Sequence, residues 1–207
     1  MVDTAQTTET EARILRAATE VFRTRGRDGA RMQDIADAAG INKAMLHYYF
    51  RSKDQLFERV FRDSAATFFA RIREVLSSDA SLFIKIHDLC TAYMDTGMKE
   101  PFIPVFIIGE INRNPADFIR KMFRDSGRRP DFGKFRELVD RETAAGNIIA
   151  ISAEQLIINI LSLSIFPFIA RPMMQFNLGL SEEKFKDCME ERKKLIPDLI
   201  IRSIQTT

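Results

Sequence analysis

The stretch GINKAMLHYYF, residues 40–50, combines a glycine, an asparagine and several polar side chains in one short segment. A short helix is predicted just before it by four apolar residues at helical spacing: Met32, Ile35, Ala36 and Ala39. Gly40 is predicted to end that helix, and Asn42 is suited to cap another helix that runs to about Tyr49. Two short helices joined by such a tight turn form a helix-turn-helix, whose second helix fits a DNA major groove about 12 Å wide.

The side chains of this second helix divide into a packing face and a free face. Leu46 and Phe50 share one stripe because they are four residues apart, whereas Ala44 and Tyr48 share a stripe on nearly the opposite side. Lysine, histidine and tyrosine donate hydrogen bonds to bases or phosphates, and alanine can meet a thymine methyl group. The residues predicted to contact DNA are Arg31, Gln33, Asn42, Lys43, Ala44, His47, Tyr48, Tyr49 and Lys53. The alternative interpretation is that the ring-bearing residues only pack at a helical corner.

The charge distribution favours DNA binding at this end of the chain. The whole sequence has a formal net charge of only +2, which by itself indicates no polyanionic partner. The segment from Arg23 to Arg62, however, contains nine basic and five acidic residues. Lys53 lies near the start of the next helix, where free backbone amides attract anions, so it is predicted to contact a DNA phosphate.

Helical periodicity extends over nearly the whole chain. The sequence therefore predicts an all-α fold, with an N-terminal three-helix helix-turn-helix unit (residues 1–52) followed by a helical region (residues 53–207). Capping-box patterns at 8–11 and 52–55 are predicted to begin the first helix and a long helix towards Leu76, and Gly26 to end the first. The remaining helices are predicted near residues 80–97, 101–113, 115–126, 131–146, 152–171 and 181–205.

Several functional classes find no support in the sequence. His47 and His87 are the only histidines and have no metal-ligand spacing, and no phosphate-binding loop or nucleophile motif occurs, so neither catalytic residue, metal nor cofactor is predicted. The apolar run at 156–170 is shorter than the roughly 20 residues of a membrane span and includes a proline. Two cysteines and an acidic N-terminus indicate a reducing compartment and no export signal. The expected location is the cytoplasm.

The N-terminal region resembles the TetR family of bacterial transcriptional regulators. The likeness is carried by ILRAATEVFRTRG at 14–26 and MQDIADAAGINKAMLHYYFRSKDQLF at 32–57. Arg27 and Arg31 depart from the family pattern, which commonly has an aromatic residue and a capping threonine there, and His47 replaces a common tyrosine. The resemblance implies a homodimer with two DNA-binding heads, which binds a double-stranded, pseudo-palindromic operator. It also implies a C-terminal body for ligand binding and dimerisation.

The body is expected to dimerise through the last two long helices and to enclose an effector pocket. The apolar composition of the first of these helices is unusual for a monomer surface, although both helices could equally be internal core. The residues predicted to line the pocket are Phe68, His87, Tyr93, Phe106, Phe123, Asn159 and Phe166. Because few charges occur among them, a small-molecule effector is expected to be mainly apolar. The alternatives are a core without a ligand and a chromosome-organising DNA-binding protein without an effector.

Overall fold

Helices make up the architecture of residues 4–120 and 130–206, which are the residues described by a computed structural model. These helices are α1 (Thr4–Gly29), α2 (Met32–Ala38), α3 (Lys43–Tyr49), α4 (Lys53–Ser77), α5 (Leu82–Lys99), α6 (Phe102–Arg113), α7 (Pro115–Ile119), α8 (Gly133–Ala144), α9 (Ala153–Ile169), α10 (Arg171–Leu178) and α11 (Glu182–Ile204). Over this part of the chain no β-strand forms, and a single antiparallel bridge joins Ile148 to Gln205. The predicted all-α fold is confirmed.

The chain divides into two compact units, Met1–Ala66 and Thr67–Thr207. This division falls inside α4, because the first half of α4 contributes Leu56, Phe57 and Val60 to the core of the N-terminal unit. The boundary predicted from the sequence, after residue 52, coincides with the start of α4 instead.

The N-terminal unit is built around apolar residues from four helices. The rings of Phe22 in α1 and Phe57 in α4 meet edge to face, with centroids 4.8 Å apart. The other buried side chains of this core include Ile14, Ala18, Ile35, Ala36, Leu46, Leu56 and Val60. Burial of this apolar surface supplies the main driving force for folding the unit.

The turn between α2 and α3 is closed by backbone hydrogen bonds. The amide of Gly40 donates to the Asp37 carbonyl at 3.1 Å, and the amide of Ile41 donates to the Ala36 carbonyl at 3.0 Å. This Schellman arrangement requires a left-handed residue after the helix. Gly40 provides it with φ of 63° and no steric penalty. The predicted end of this helix at Gly40 is therefore confirmed.

The ends of α1 differ from the prediction. The capping box predicted at residues 8–11 was wrong, because α1 already begins at Thr4. Threonine and glutamate are compatible with helix interiors, so nothing prevents the helix from extending backwards. Gly26 does interrupt the helical backbone, with φ of 66°, but a last turn continues to Gly29.

The second unit contains a larger core, into which α9 inserts. Pro167 lies inside α9 and has no amide to donate to the Leu163 carbonyl. The guanidinium of Arg192 in α11 replaces that donor, since its Nε and Nη2 both lie 3.2 Å from this oxygen.

The prediction of one helix over 152–171 missed α10, which follows α9 after a bend of 73°. Of the predicted helix 115–126, only the beginning lies within the described residues, as α7.

No single helix of the described residues is both long and apolar enough to cross a membrane. The bent pair α9 and α10 meets the criteria of length and composition only when the two helices are taken together.

Candidate DNA-binding interface

Helix α3 is anchored along one side and open along the other. Leu46 is 0% exposed and Phe50 is 8% exposed, whereas Tyr48 is 81% exposed. The Asn42 side chain caps the helix by accepting a hydrogen bond from the Met45 amide at 2.8 Å. Both the cap and the predicted division into two faces are confirmed. An anchored helix with free polar side chains can enter a groove without rearranging its own core.

The predicted contact residues of α3 lie together on this open face. Asn42, Lys43, Ala44 and His47 are all exposed. Tyr49 is half-buried, and its ring packs edge to face against the ring of Tyr48, with centroids 5.5 Å apart. Edge-to-face contacts of this kind stabilise the two rings against each other, while the Tyr48 side chain remains exposed to solvent.

The two predicted contacts at the start of α2 differ in whether they are already hydrogen-bonded within the protein. Arg31 precedes α2 and is exposed, and its side chain makes no capping hydrogen bond. Gln33 is exposed as well, but its amide nitrogen donates to the Asp37 carboxylate at 2.7 Å. A base contact by Gln33 would therefore have to compete with this hydrogen bond.

Lys53, the predicted phosphate contact, takes part in a contact inside the protein. Its ammonium group lies 3.2 Å from the Ala30 carbonyl and 3.4 Å from the Asp28 carbonyl. Ser52 caps α4 next to it by accepting from the Gln55 amide at 3.2 Å. A lysine ammonium has three donors, so two carbonyl contacts leave one N–H for a phosphate.

Three arginines near this surface were not predicted as functional. Arg51 is exposed in the turn between α3 and α4. Arg27 donates to the Asp54 carboxylate at 3.0 Å, and Arg25 pairs with Asp34. The basic composition of the segment was a signal for all three, but the partners of Arg25 and Arg27 lie 9 and 27 positions away in the sequence, so the sequence did not distinguish these arginines.

In the second unit, the structure brings two of the predicted pocket residues together. The rings of Phe68 in α4 and Tyr93 in α5 meet at a centroid distance of 5.3 Å, and Phe69 lies beside Phe68. Burial raises the pKa of the Tyr93 phenol well above its ordinary value, so this group stays neutral. Burial also raises the pKa of the nearby Cys90 thiol to about 11.

Three of the other predicted pocket residues are exposed instead. His87 is exposed beside Asp88, with its Nδ1 3.4 Å from the carboxylate. Asn159 and Phe166 lie on the exposed side of α9, and Phe166 is 48% exposed. Phe106 is half-buried in α6. Phe123 lies outside the described residues.

Comparison with known proteins gives the same assignment for the N-terminal unit. Residues 14–60 match the family model described as bacterial regulatory proteins, tetR family. This range covers α2, α3 and most of the N-terminal unit's core. The match therefore covers the residues that form α3 and the core residues against which α3 packs.

Relatives extend the likeness beyond this unit. The chain is 28% identical over 137 residues to the transcriptional repressor KstR2 of Mycolicibacterium smegmatis, across 57% of this chain and 67% of the relative. It is 26% identical over 85 residues to the nucleoid occlusion factor SlmA of Haemophilus influenzae, across 41% of this chain and 39% of that protein. The solved structure of the ketosteroid regulator KstR2 of Mycobacterium tuberculosis has the same fold, with a TM-score of 0.64, 17% identity and 95% of each chain covered. Residues 14–60 are thus similar to the bacterial regulatory proteins of the tetR family, the longest match described above is to a transcriptional repressor, and the shared fold extends this likeness to the helical second unit.

Proposed function

We propose that this protein is a ligand-responsive transcriptional repressor that binds a pseudo-palindromic operator as a homodimer. The observation that carries this proposal is the open face of α3. Lys43, Ala44, His47 and Tyr48 are exposed there, opposite the buried Leu46. Since buried anchors hold the helix in place, these side chains are available to base edges and phosphates of a major groove.

The proposed division of labour follows from the chemistry of each side chain. Lys43 donates to guanine acceptors or to phosphate, and the small Ala44 permits close approach of the helix to the bases. His47 and Tyr49 donate to bases or to the backbone. Lys53 uses its remaining donor on a phosphate, so it strengthens binding to every sequence equally.

The proposed dimer interface is formed by α9 and α11, the last two long helices. Ile158 and Phe166 are exposed on α9, and Leu195 and Leu199 are exposed on α11. Large apolar side chains in this number on two neighbouring helices are unusual for a monomer surface. A second copy related by a two-fold axis would cover the same patch on both chains. Two heads related in this way would meet successive half-sites of a palindrome.

The proposed effector is a mainly apolar small molecule bound in the second unit near Phe68 and Tyr93. The neutral phenol of Tyr93 supplies a hydrogen-bonding group within aromatic surroundings, which suits a compound with few polar groups. The relative of known structure is described as a ketosteroid regulator, and a ketosteroid has this character. Phe68 is uncharged and Tyr93 stays neutral, so a polyanionic effector is not expected there.

The proposed response is a shift of α4, which runs from Lys53 to Ser77 and contributes to both units. An effector that favours one position of this helix would change operator affinity. A coupling of about 1–3 kcal/mol would weaken operator binding by roughly 5- to 150-fold. Titration of apolar ring compounds against a bound operator tests this response, and a series that leaves the affinity unchanged counts against it.

The decisive experiment is selection of bound duplexes from random DNA by the full-length protein. The expected result is a palindromic consensus, because two identical heads read two half-sites. A double variant, Lys43→Ala with Tyr48→Ala, is the matched control, since both residues are exposed and should leave the fold unchanged. Selection of no consensus by the wild-type protein, or of the same consensus by the control, would contradict the assignment.

The alternative function, that of a chromosome-organising protein without an effector, is less favoured by the relatives, although one of them is named a nucleoid occlusion factor. Mapping bound sites over a bacterial genome distinguishes the two functions. A few promoter sites support a repressor, whereas many dispersed sites support an organising role.

A further inference from the structure

The junction between α1 and α4 is held by two crossed pairs of residues. Arg27, after the break at Gly26, donates from Nη2 to the Asp54 carboxylate of α4 at 3.0 Å. In the opposite direction, Lys53 of α4 donates to the Asp28 and Ala30 carbonyls. Arg27, which departs from the family pattern, is thus paired with Asp54, the neighbour of the proposed phosphate contact Lys53.

The guanidinium of Arg27 is held in place on a second side. Its Cζ lies 5.6 Å from the ring centroid of Phe57, which is itself buried in the core. A cation over an aromatic face is attracted to it, and the contact also reduces the number of rotamers that Arg27 can adopt. Arg27 is therefore held towards Asp54 and Phe57.

Asp54 is the group whose charge matters for DNA. It is the second residue of α4, next to Lys53, and its side chain is 70% exposed. A bare carboxylate at this position would repel the DNA backbone that Lys53 is proposed to bind. Pairing with a guanidinium cancels most of that charge at short range, and added salt would reduce the remaining repulsion.

We propose that Arg27 is a positioning residue for operator binding, which masks the Asp54 carboxylate and thereby keeps the surface beside Lys53 attractive to a phosphate. The inference rests on the proposed DNA-binding function. It assigns no contact with DNA to Arg27 itself.

The test is a double-mutant cycle with Arg27→Gln, Asp54→Asn and the double variant, measured on a selected duplex by fluorescence anisotropy. Loss of one exposed pair should weaken binding about two- to five-fold per head, and about 4- to 25-fold for a dimer with two heads, at low salt. Asp54→Asn alone should bind within about two-fold of wild type, because the masked charge contributes little. Added to Arg27→Gln, it should restore binding.

Two further measurements separate an electrostatic role of Arg27 from a purely structural one. Arg27→Lys keeps the charge and should bind nearly as wild type does. The loss in Arg27→Gln should shrink between about 50 and 200 mM salt, as expected for screened repulsion. Thermal unfolding of each variant shows whether the head remains folded, because an exposed pair contributes little to stability.

Additive effects in the cycle, with no rescue of Arg27→Gln by Asp54→Asn, would show that Arg27 contacts a phosphate directly and would overturn the inference. A loss of thermal stability without rescue by Asp54→Asn would show a structural role only and would also overturn it. A wild-type protein that selects no duplex would overturn the proposed function and this inference together.

Discussion

Lys85 is expected to hold the carboxyl end of α4. It is 2% exposed, and its ammonium group donates to the carbonyl oxygens of Val75 at 2.7 Å, Leu76 at 2.9 Å and Ser78 at 2.7 Å. Because α4 ends at Ser77, its last carbonyls have no donor within the helix. The substitution Lys85→Met keeps an apolar stem of similar length and removes all of these hydrogen bonds.

The expected loss of stability depends on which carbonyls water can reach. The contacts with Val75 and Ser78 are partly buried, so water can replace the ammonium there, whereas the contact with Leu76 is buried. A buried carbonyl left without a donor costs about 1–3 kcal/mol, and a hydrogen bond from a charged group contributes about 1.5–3 kcal/mol. Part of this loss is offset because Lys85→Met also removes the free-energy cost of burying the charged ammonium group. We expect the free energy of unfolding to fall by about 2–4 kcal/mol, out of roughly 5–15 kcal/mol for a typical domain.

The assay is urea unfolding followed by the helical circular dichroism signal, at one fixed protomer concentration because dimers unfold in a concentration-dependent way. Lys186→Met on α11 is the matched control, since Lys186 is exposed and its replacement should change stability by less than about 0.5 kcal/mol. The two variants should differ in their unfolding midpoints at similar slopes. Equal midpoints would refute the reasoning, because they would mean that the carbonyls at the end of α4 need no ammonium donor.

Four other substitutions test the packing, the interface and the DNA contacts. Gly97→Ala would place a Cβ 2.4 Å from Cδ2 of Phe168. We therefore expect the free energy of unfolding, measured in urea, to fall by about 1–3 kcal/mol. An unchanged unfolding midpoint would show that α5 and α9 can move apart at no cost. Leu195→Glu should convert dimers to monomers in sedimentation experiments with unchanged helical signal, and a persistent dimer would exclude this face of α11. Lys43→Ala should cost about 1–3 kcal/mol on the selected duplex and little on unrelated DNA; equal losses on both would contradict base reading. Lys53→Ala should weaken binding to all duplexes and lower the salt slope by about one, and an unchanged slope would leave it only its contacts with Asp28 and Ala30.

Helix α3 was predictable because its determinants lie close together in the sequence. The cap at Asn42 depends on an amide three residues away, and the opposite directions of Leu46 and Tyr48 follow from helical periodicity alone. The turn at Gly40 depends on carbonyls three and five residues before its donors. The start of α1 was wrong for the converse reason, since a capping pattern does not stop a helix from beginning earlier.

The positions of the body residues were not predictable in this way. Helix α9 is apolar on most sides, so its sequence does not indicate which side α5 and α11 cover. The prediction placed Asn159 and Phe166 in a pocket with Phe68, but the packing leaves both exposed. The helix α10 was missed although Pro172, at its second position, is a local signal for a helix start.

The amino-acid sequence by itself determined the all-α class, the helix-turn-helix and the free face of α3, because these follow from interactions between residues within about five positions of one another. Only the tertiary structure decided which groups meet across long separations. It placed Arg27 on Asp54, Lys53 on the Ala30 carbonyl and Arg192 on the carbonyl that Pro167 leaves without a donor. A long charged side chain can reach many partners, and the partner it finds depends on how distant helices pack around a shared core.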